Sequence, residues 1–145
     1  MIQIDETDRA ILSLLAENAR LPVTAIAKRL GLARTTVQAR LDRMEAQGTI
    51  KGYRVQLGHS APAHLRATAL LQIEPRSGPA VLARLKSLPQ VERVHTTSGR
   101  FDLIVQIAAE STEILDETLD RIGEAKGVRS SESLIHLSTK LDRAM

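Results

Sequence analysis

The sequence predicts an α+β chain in two parts: a winged-type helix-turn-helix of three helices, then a β-α-β-β-α-β unit of ferredoxin-like topology. Three observations carry this. Apolar residues recur at helical spacing up to Met44, on both sides of a turn of only Gly31-Leu32-Ala33. From Ala67 onward the period switches to alternation, broken twice by helical stretches. The basic charge is concentrated in the first part, where eight basic residues against two acidic give +6 over residues 20–54.

Asp5 is a natural N-cap, with Glu6 and Asp8 on the positive end of the helix that follows. Ile11, Leu12 and Leu15 extend that helix over roughly residues 6–18. Leu21-Pro22 interrupts it, and Val23, Ile26, Ala27 and Leu30 form a short second helix stopped by Gly31. Val37, Leu41 and Met44 then define a third helix that ends before Gly48. Two short helices on a tight turn containing glycine are the pattern of a helix-turn-helix.

At about 100° per residue, the apolar stripe of the third helix faces inward. Thr35, Gln38, Ala39 and Asp42 then face outward, with Thr36 and Arg43 on a shoulder and Arg34 in the first turn. Such a face suits double-stranded DNA: Gln38 matches adenine, Arg34 guanine, and Thr35 or Ala39 a thymine methyl. Arg20, Lys28, Arg29 and Lys51 are phosphate candidates. Arg40, closer to the core stripe, suits a phosphate or an intramolecular pair, and Asp42 is expected to pair with a nearby arginine.

Residues 53–57 alternate enough for a strand, and Gly58 to Pro62 read as a hinge. The expected division is 1–52 for the DNA-binding part, 53–63 for linker strand and hinge, and 64–145 for the rest. In that last part, Ala67 to Ile73 is a strand, Val81, Leu82 and Leu85 mark a helix, and Val91 to Ser98 is a second strand. Gly99-Arg100 reads as a two-residue turn into a third strand, Phe101 to Ala108. Ile114, Leu115, Leu119 and Ile122 mark another helix, and Val128 to Leu137 a final strand. Helices cover one face of this sheet; the other carries apolar groups and calls for a partner, which predicts a homodimer.

The absence of cysteine removes disulfides and thiolate metal sites. Met1 leads straight into polar residues, with no apolar run to anchor in a membrane, so the expected location is the cytoplasm. No Ser-His-Asp arrangement, phosphate loop or two-histidine metal spacing stands out, so no catalytic residue, metal or cofactor is expected.

Four stretches resemble the Lrp/AsnC, or feast/famine, regulators. They are Asp5 to Leu12, Ala19 to Leu32, Thr36 to Glu45 with Gly48 to Tyr53, and Val91 to Leu103 with its Gly99-Arg100-Phe101-Asp102 turn. The resemblance implies a transcription regulator with an ACT-like C-terminal domain. It also implies dimers through the sheet, octameric rings of four dimers, and an amino-acid effector near Thr97, Gly99, Arg100, Phe101 and Asp102. The chain departs from the family at Pro22 and Ala33, where capping residues are usual; Thr35 or Thr36 is the available substitute at the third helix.

Three other readings stand beside this one: a DNA-packaging protein without effector response, an amino-acid sensor whose helix-turn-helix is vestigial, and an enzyme like the siroheme decarboxylases, which share this architecture. The enzyme would draw on His59, His64, His95 and His136, two in the hinge region and two in strands, and has little use for a basic third helix.

Overall fold

A computed structural model describes residues 3–58 and 64–143. His59 and most of the expected hinge lie outside the described residues. The chain divides into two units between Leu57 and Gly58.

In the first unit, helix α1 spans Glu6–Glu17, α2 Val23–Leu30 and α3 Arg34–Ala46. The start of α1 is a reciprocal capping box: Asp5 accepts from the Asp8 backbone N–H, and the Asp8 side chain accepts from that of Asp5. Helix α2 stops at Gly31, whose φ of +66° is left-handed; there Leu32 N–H reaches back to the Ala27 carbonyl at 2.9 Å. Neither Pro22 nor Ala33 gives a side-chain cap, and neither Thr35 nor Thr36 substitutes at the start of α3. Ile11, Ile26, Ala27, Val37, Leu41 and Met44 form the core of this unit.

The expected strand over 53–57 does not form; residues 51–58 are neither helix nor strand and are exposed. A strand needs a ladder partner for its N–H and C=O groups, and the described residues of this unit hold no other strand.

The second unit contains strand β1 (Leu65–Ile73), helix α4 (Gly78–Lys86), β2 (Val91–Thr96), β3 (Leu103–Ala109), helix α5 (Thr112–Gly123) and β4 (Val128–Ile135). The antiparallel sheet has the order β2-β3-β1-β4, as expected of a βαββαβ unit. Ala67, Ala69 and Leu71 of β1 and Leu103, Val105 and Ile107 of β3 form one buried face, packed with Val81 and Leu85 of α4 and Leu115 and Ile122 of α5. By register, the opposite face of the central pair carries Thr68, Leu70 and Gln72 beside Ile104, Gln106 and Ala108. Its apolar groups are thus interleaved with polar ones.

The β2–β3 connection is longer than the expected two-residue turn. The strands end at Thr96 and restart at Leu103. Thr97 N–H donates to the Asp102 carbonyl at 3.0 Å, and Thr97 Oγ1 to the Phe101 carbonyl at 2.7 Å. Asp102 keeps that bond to Thr97 and is also held by β1. Its N–H donates to the Leu71 carbonyl at 2.8 Å, and its Oδ2 accepts from Ile73 N–H at 2.9 Å.

Candidate nucleic-acid interface and hairpin cavity

Helix α3 is built to leave one face bare. Val37, Leu41 and Met44 are buried, while Arg34, Thr35, Thr36, Gln38, Ala39 and Asp42 are exposed. A surface groove of about 470 Å³ runs along this helix, lined by Thr35, Thr36, Ala39, Arg40 and Arg43.

Two aspartates of α1's N-terminus hold the other side of the helix. Asp8 is only 1% exposed. It accepts from Arg40 Nη1 at 3.0 Å through Oδ1 and from Arg43 Nη2 through Oδ2. Arg40 Nη1 also reaches Asp5 Oδ2, at 2.7 Å. A buried carboxylate without such partners would be strongly destabilising; here two guanidiniums and a backbone N–H satisfy it. Hydrogen bonding from Arg40, then from the Asp8 backbone, holds the Asp5 pKa below the ordinary carboxylate value. The same contacts, Asp5 first and then Asp8, raise that of Arg40.

Of the two roles open to Arg40, the structure displays the intramolecular pair. Arg43 is engaged the same way, although both also line the groove. Sequence reasoning missed Asp8. Its signal was a carboxylate on the apolar stripe of α1, at i, i+3 and i+7 with Ile11 and Leu15.

The expected arginine partner of Asp42 is corrected. Asp42 Oδ1 accepts from Gln38 Nε2 at 2.8 Å, because Gln38 stands one turn earlier on the same face. Arg20, Lys28, Arg29 and Lys51 are exposed and take no part in the aspartate network. Tyr53 donates to Glu45 Oε1 at 2.9 Å; partial burial, then that carboxylate, raises its pKa.

In the second unit a cavity of about 680 Å³ opens beside the β2–β3 hairpin, and Arg100 and Asp102 line it. Thr97, Gly99 and Phe101 are not among its lining residues. Thr97 bonds the Phe101 carbonyl, and the Arg100 guanidinium lies 4.9 Å from the Phe101 ring centroid. His95 stands exposed in β2, and His136 just beyond β4 lies 2.8 Å from Thr68 Oγ1 through Nε2. Among the described residues, no group of three or more His, Asp or Glu could hold a metal, and no helix is long and apolar enough to cross a membrane.

Residues 4–45 match the AsnC-type helix-turn-helix domain, and residues 66–145 match the Lrp/AsnC ligand binding domain. The chain is 31% identical over 137 residues to the HTH-type transcriptional regulator LysM of Saccharolobus solfataricus, covering 94% of this chain and 95% of LysM. Among solved structures it is similar to AsnC of E. coli, with a TM-score of 0.89, 26% identity and 99% of each chain covered. A feast or famine regulatory protein of M. tuberculosis, complexed with L-methionine, matches with a TM-score of 0.86 and 28% identity, covering 99% of this chain and 98% of that one.

Proposed function

This chain belongs to the Lrp/AsnC family of transcriptional regulators, and from that premise we propose that it reads a specific DNA sequence through α3 and alters that binding when an amino acid occupies the hairpin cavity. The observation that carries the reading is that α3 is clamped along one flank by Asp8 while its outer face stays exposed. In this reading Arg34, Thr35, Gln38 and Ala39 meet base edges. Asp42 takes one hydrogen of the Gln38 amide, leaving the other N–H and the carbonyl for adenine. Thr36, Arg20, Lys28, Arg29 and Lys51 contact the backbone. Arg40 and Arg43 chiefly hold the helix in place.

Residues 1–52 form the DNA-binding module in this account, 53–63 the linker, and 64–145 the module that senses and assembles. The open sheet face supports a homodimer, and four dimers an octameric ring. Two recognition helices in a dimer then read half-sites about one helical turn, or a multiple, apart. The L-methionine complex of the M. tuberculosis relative supports an amino-acid effector. Arg100 and Asp102 offer it opposite charges, on a turn shaped by Thr97, Gly99 and Phe101.

The test is a mobility shift with the DNA upstream of this protein's own gene, at about 150 mM salt, where purely electrostatic binding is weakened. Each amino acid is added in turn. A complex that outcompetes random DNA and shifts with one amino acid is expected. Equal affinity for random DNA, unmoved by any amino acid, would support the packaging reading instead.

A further inference from the structure

Three arginines from three separate places in the chain line the hairpin cavity: Arg76 in the turn after β1, Arg100 in the hairpin, and Arg129 near the start of strand β4. Glu74 and Asp102 are the carboxylates that line it with them. Arg129 Nε lies 3.5 Å from Glu74 Oε1, and Arg100 Nη2 lies 3.9 Å from Oε2 of Glu132, which is outside the lining. Both are long pairs between exposed groups and hold their partners weakly. One oxygen of Asp102 is taken by Ile73 N–H. Arg76 makes no ion pair among the described residues.

Arg76 is also the only non-glycine among the described residues with a positive φ, +68°. That conformation is disfavoured for a residue with a Cβ and persists where the surroundings enforce it. Glu74 N–H donates to the Gly127 carbonyl at 2.7 Å, and Ser77 N–H to the Glu74 carbonyl at 3.1 Å. Gly127 approaches so closely that a Cβ there would meet Ser77 Cβ at 2.6 Å. The turn is therefore pinned from both sides, with Arg76 at the cavity.

We propose that this cavity selects an amino acid with an acidic side chain, and that Arg76 makes the selection. The proposal rests on the effector reading above and narrows it. Arg100 is paired with Glu132 and Arg129 with Glu74, whereas Arg76 makes no ion pair among the described residues. A neutral amino acid, as a zwitterion, leaves Arg76 without an anionic partner; an acidic one supplies it. Asp102 has a second oxygen for the ammonium. Arg100 and Arg129 take the α-carboxylate, and Arg76, unpaired among the described residues, takes the side-chain carboxylate through its planar fork.

The experiment is calorimetric titration of the full chain with L-glutamate, L-aspartate, L-glutamine, L-leucine, L-methionine and 2-oxoglutarate, repeated on Arg76→Gln. An acidic amino acid is expected to bind about tenfold or more tighter than L-glutamine, a preference of roughly one decade in Kd. Arg76→Gln should bring that ratio close to one while retaining the weaker neutral binding. If Arg76→Gln fails to fold, Arg76→Gly, which accepts the positive φ, makes the same comparison. L-leucine, L-methionine or L-glutamine binding as tightly as the acidic amino acids overturns the proposal and leaves the amino-acid effector standing. A preference that survives both variants overturns the role of Arg76. Binding of 2-oxoglutarate equal to that of L-glutamate overturns the ammonium contact and the amino-acid class. No binding by any of the amino acids overturns the proposal together with the effector reading beneath it.

Discussion

The two units place their functional surfaces by opposite means. Among the described residues, the sheet unit rests on a core cluster of twelve buried aliphatic residues, and its one buried polar side chain, Thr118, satisfies itself on the Ile114 carbonyl at 2.7 Å. The helical unit has six buried apolar residues and a buried carboxylate gripped by two arginines of α3. A recognition helix must leave its outer face bare, so only a narrow inner stripe remains for packing. Charged contacts beside that stripe then fix where the helix sits. The sheet can bury a whole face, and its turns are free to carry a cavity.

The contrast can be broken on its apolar side first. Leu71→Ala removes a fully buried side chain from the sheet and should cost about 2–5 kcal/mol, read by denaturant unfolding of the full chain. On the polar side, Asp8→Ala leaves Arg40 and Arg43 without their common partner. Those arginines are partly exposed, with side chains 25% and 43% accessible, so water recovers part of the loss. We expect about 2–3 kcal/mol, toward or below the lower end for a broken buried pair. Loss of specific DNA binding should accompany it. Undiminished DNA affinity in a folded Asp8→Ala would show that the clamp does not position α3.

Smaller changes sharpen the comparison. Ala33→Ser supplies the missing cap of α3 and should stabilise the helical unit by about 1 kcal/mol, visible in its thermal unfolding. The smallest effect is on acid stability. The Asp5 pKa is depressed in the folded chain, chiefly by Arg40, so its contribution is present above the unfolded value, about 3.9, and is lost as pH falls through the lower folded value. Asp5→Asn keeps a capping side chain but loses the charge, and should flatten the stability profile below about pH 4.

Much of this was legible in sequence because it is local. The Asp5 cap, the Gly31 stop and the stripe of Val37, Leu41 and Met44 each depend on neighbours within a turn or two. Alternation around Leu71 and Val105 marked strands for the same reason. What was not legible joins distant parts of the chain: Asp8 meets Arg43 35 residues later, and Arg76, Arg100 and Arg129 converge from two turns and a strand. The hairpin's length was not legible because Asp102 also bonds to β1, which no reading of residues 97–102 alone could reveal. Residues 53–57 have a strand's alternation but no strand to pair with among the described residues of their own unit.

In the proposed reading, the outer face of α3 meets bases while neighbouring arginines hold the backbone. The most direct test compares Gln38→Ala with Arg29→Ala on operator and random DNA across a series of salt concentrations. Gln38→Ala should cost about 1–3 kcal/mol on the operator alone and relax preference at one base pair. Arg29→Ala should weaken both DNAs alike and reduce the salt slope by about 1. Equal losses on operator and random DNA for Gln38→Ala would contradict that reading, because that residue would then not be reading sequence.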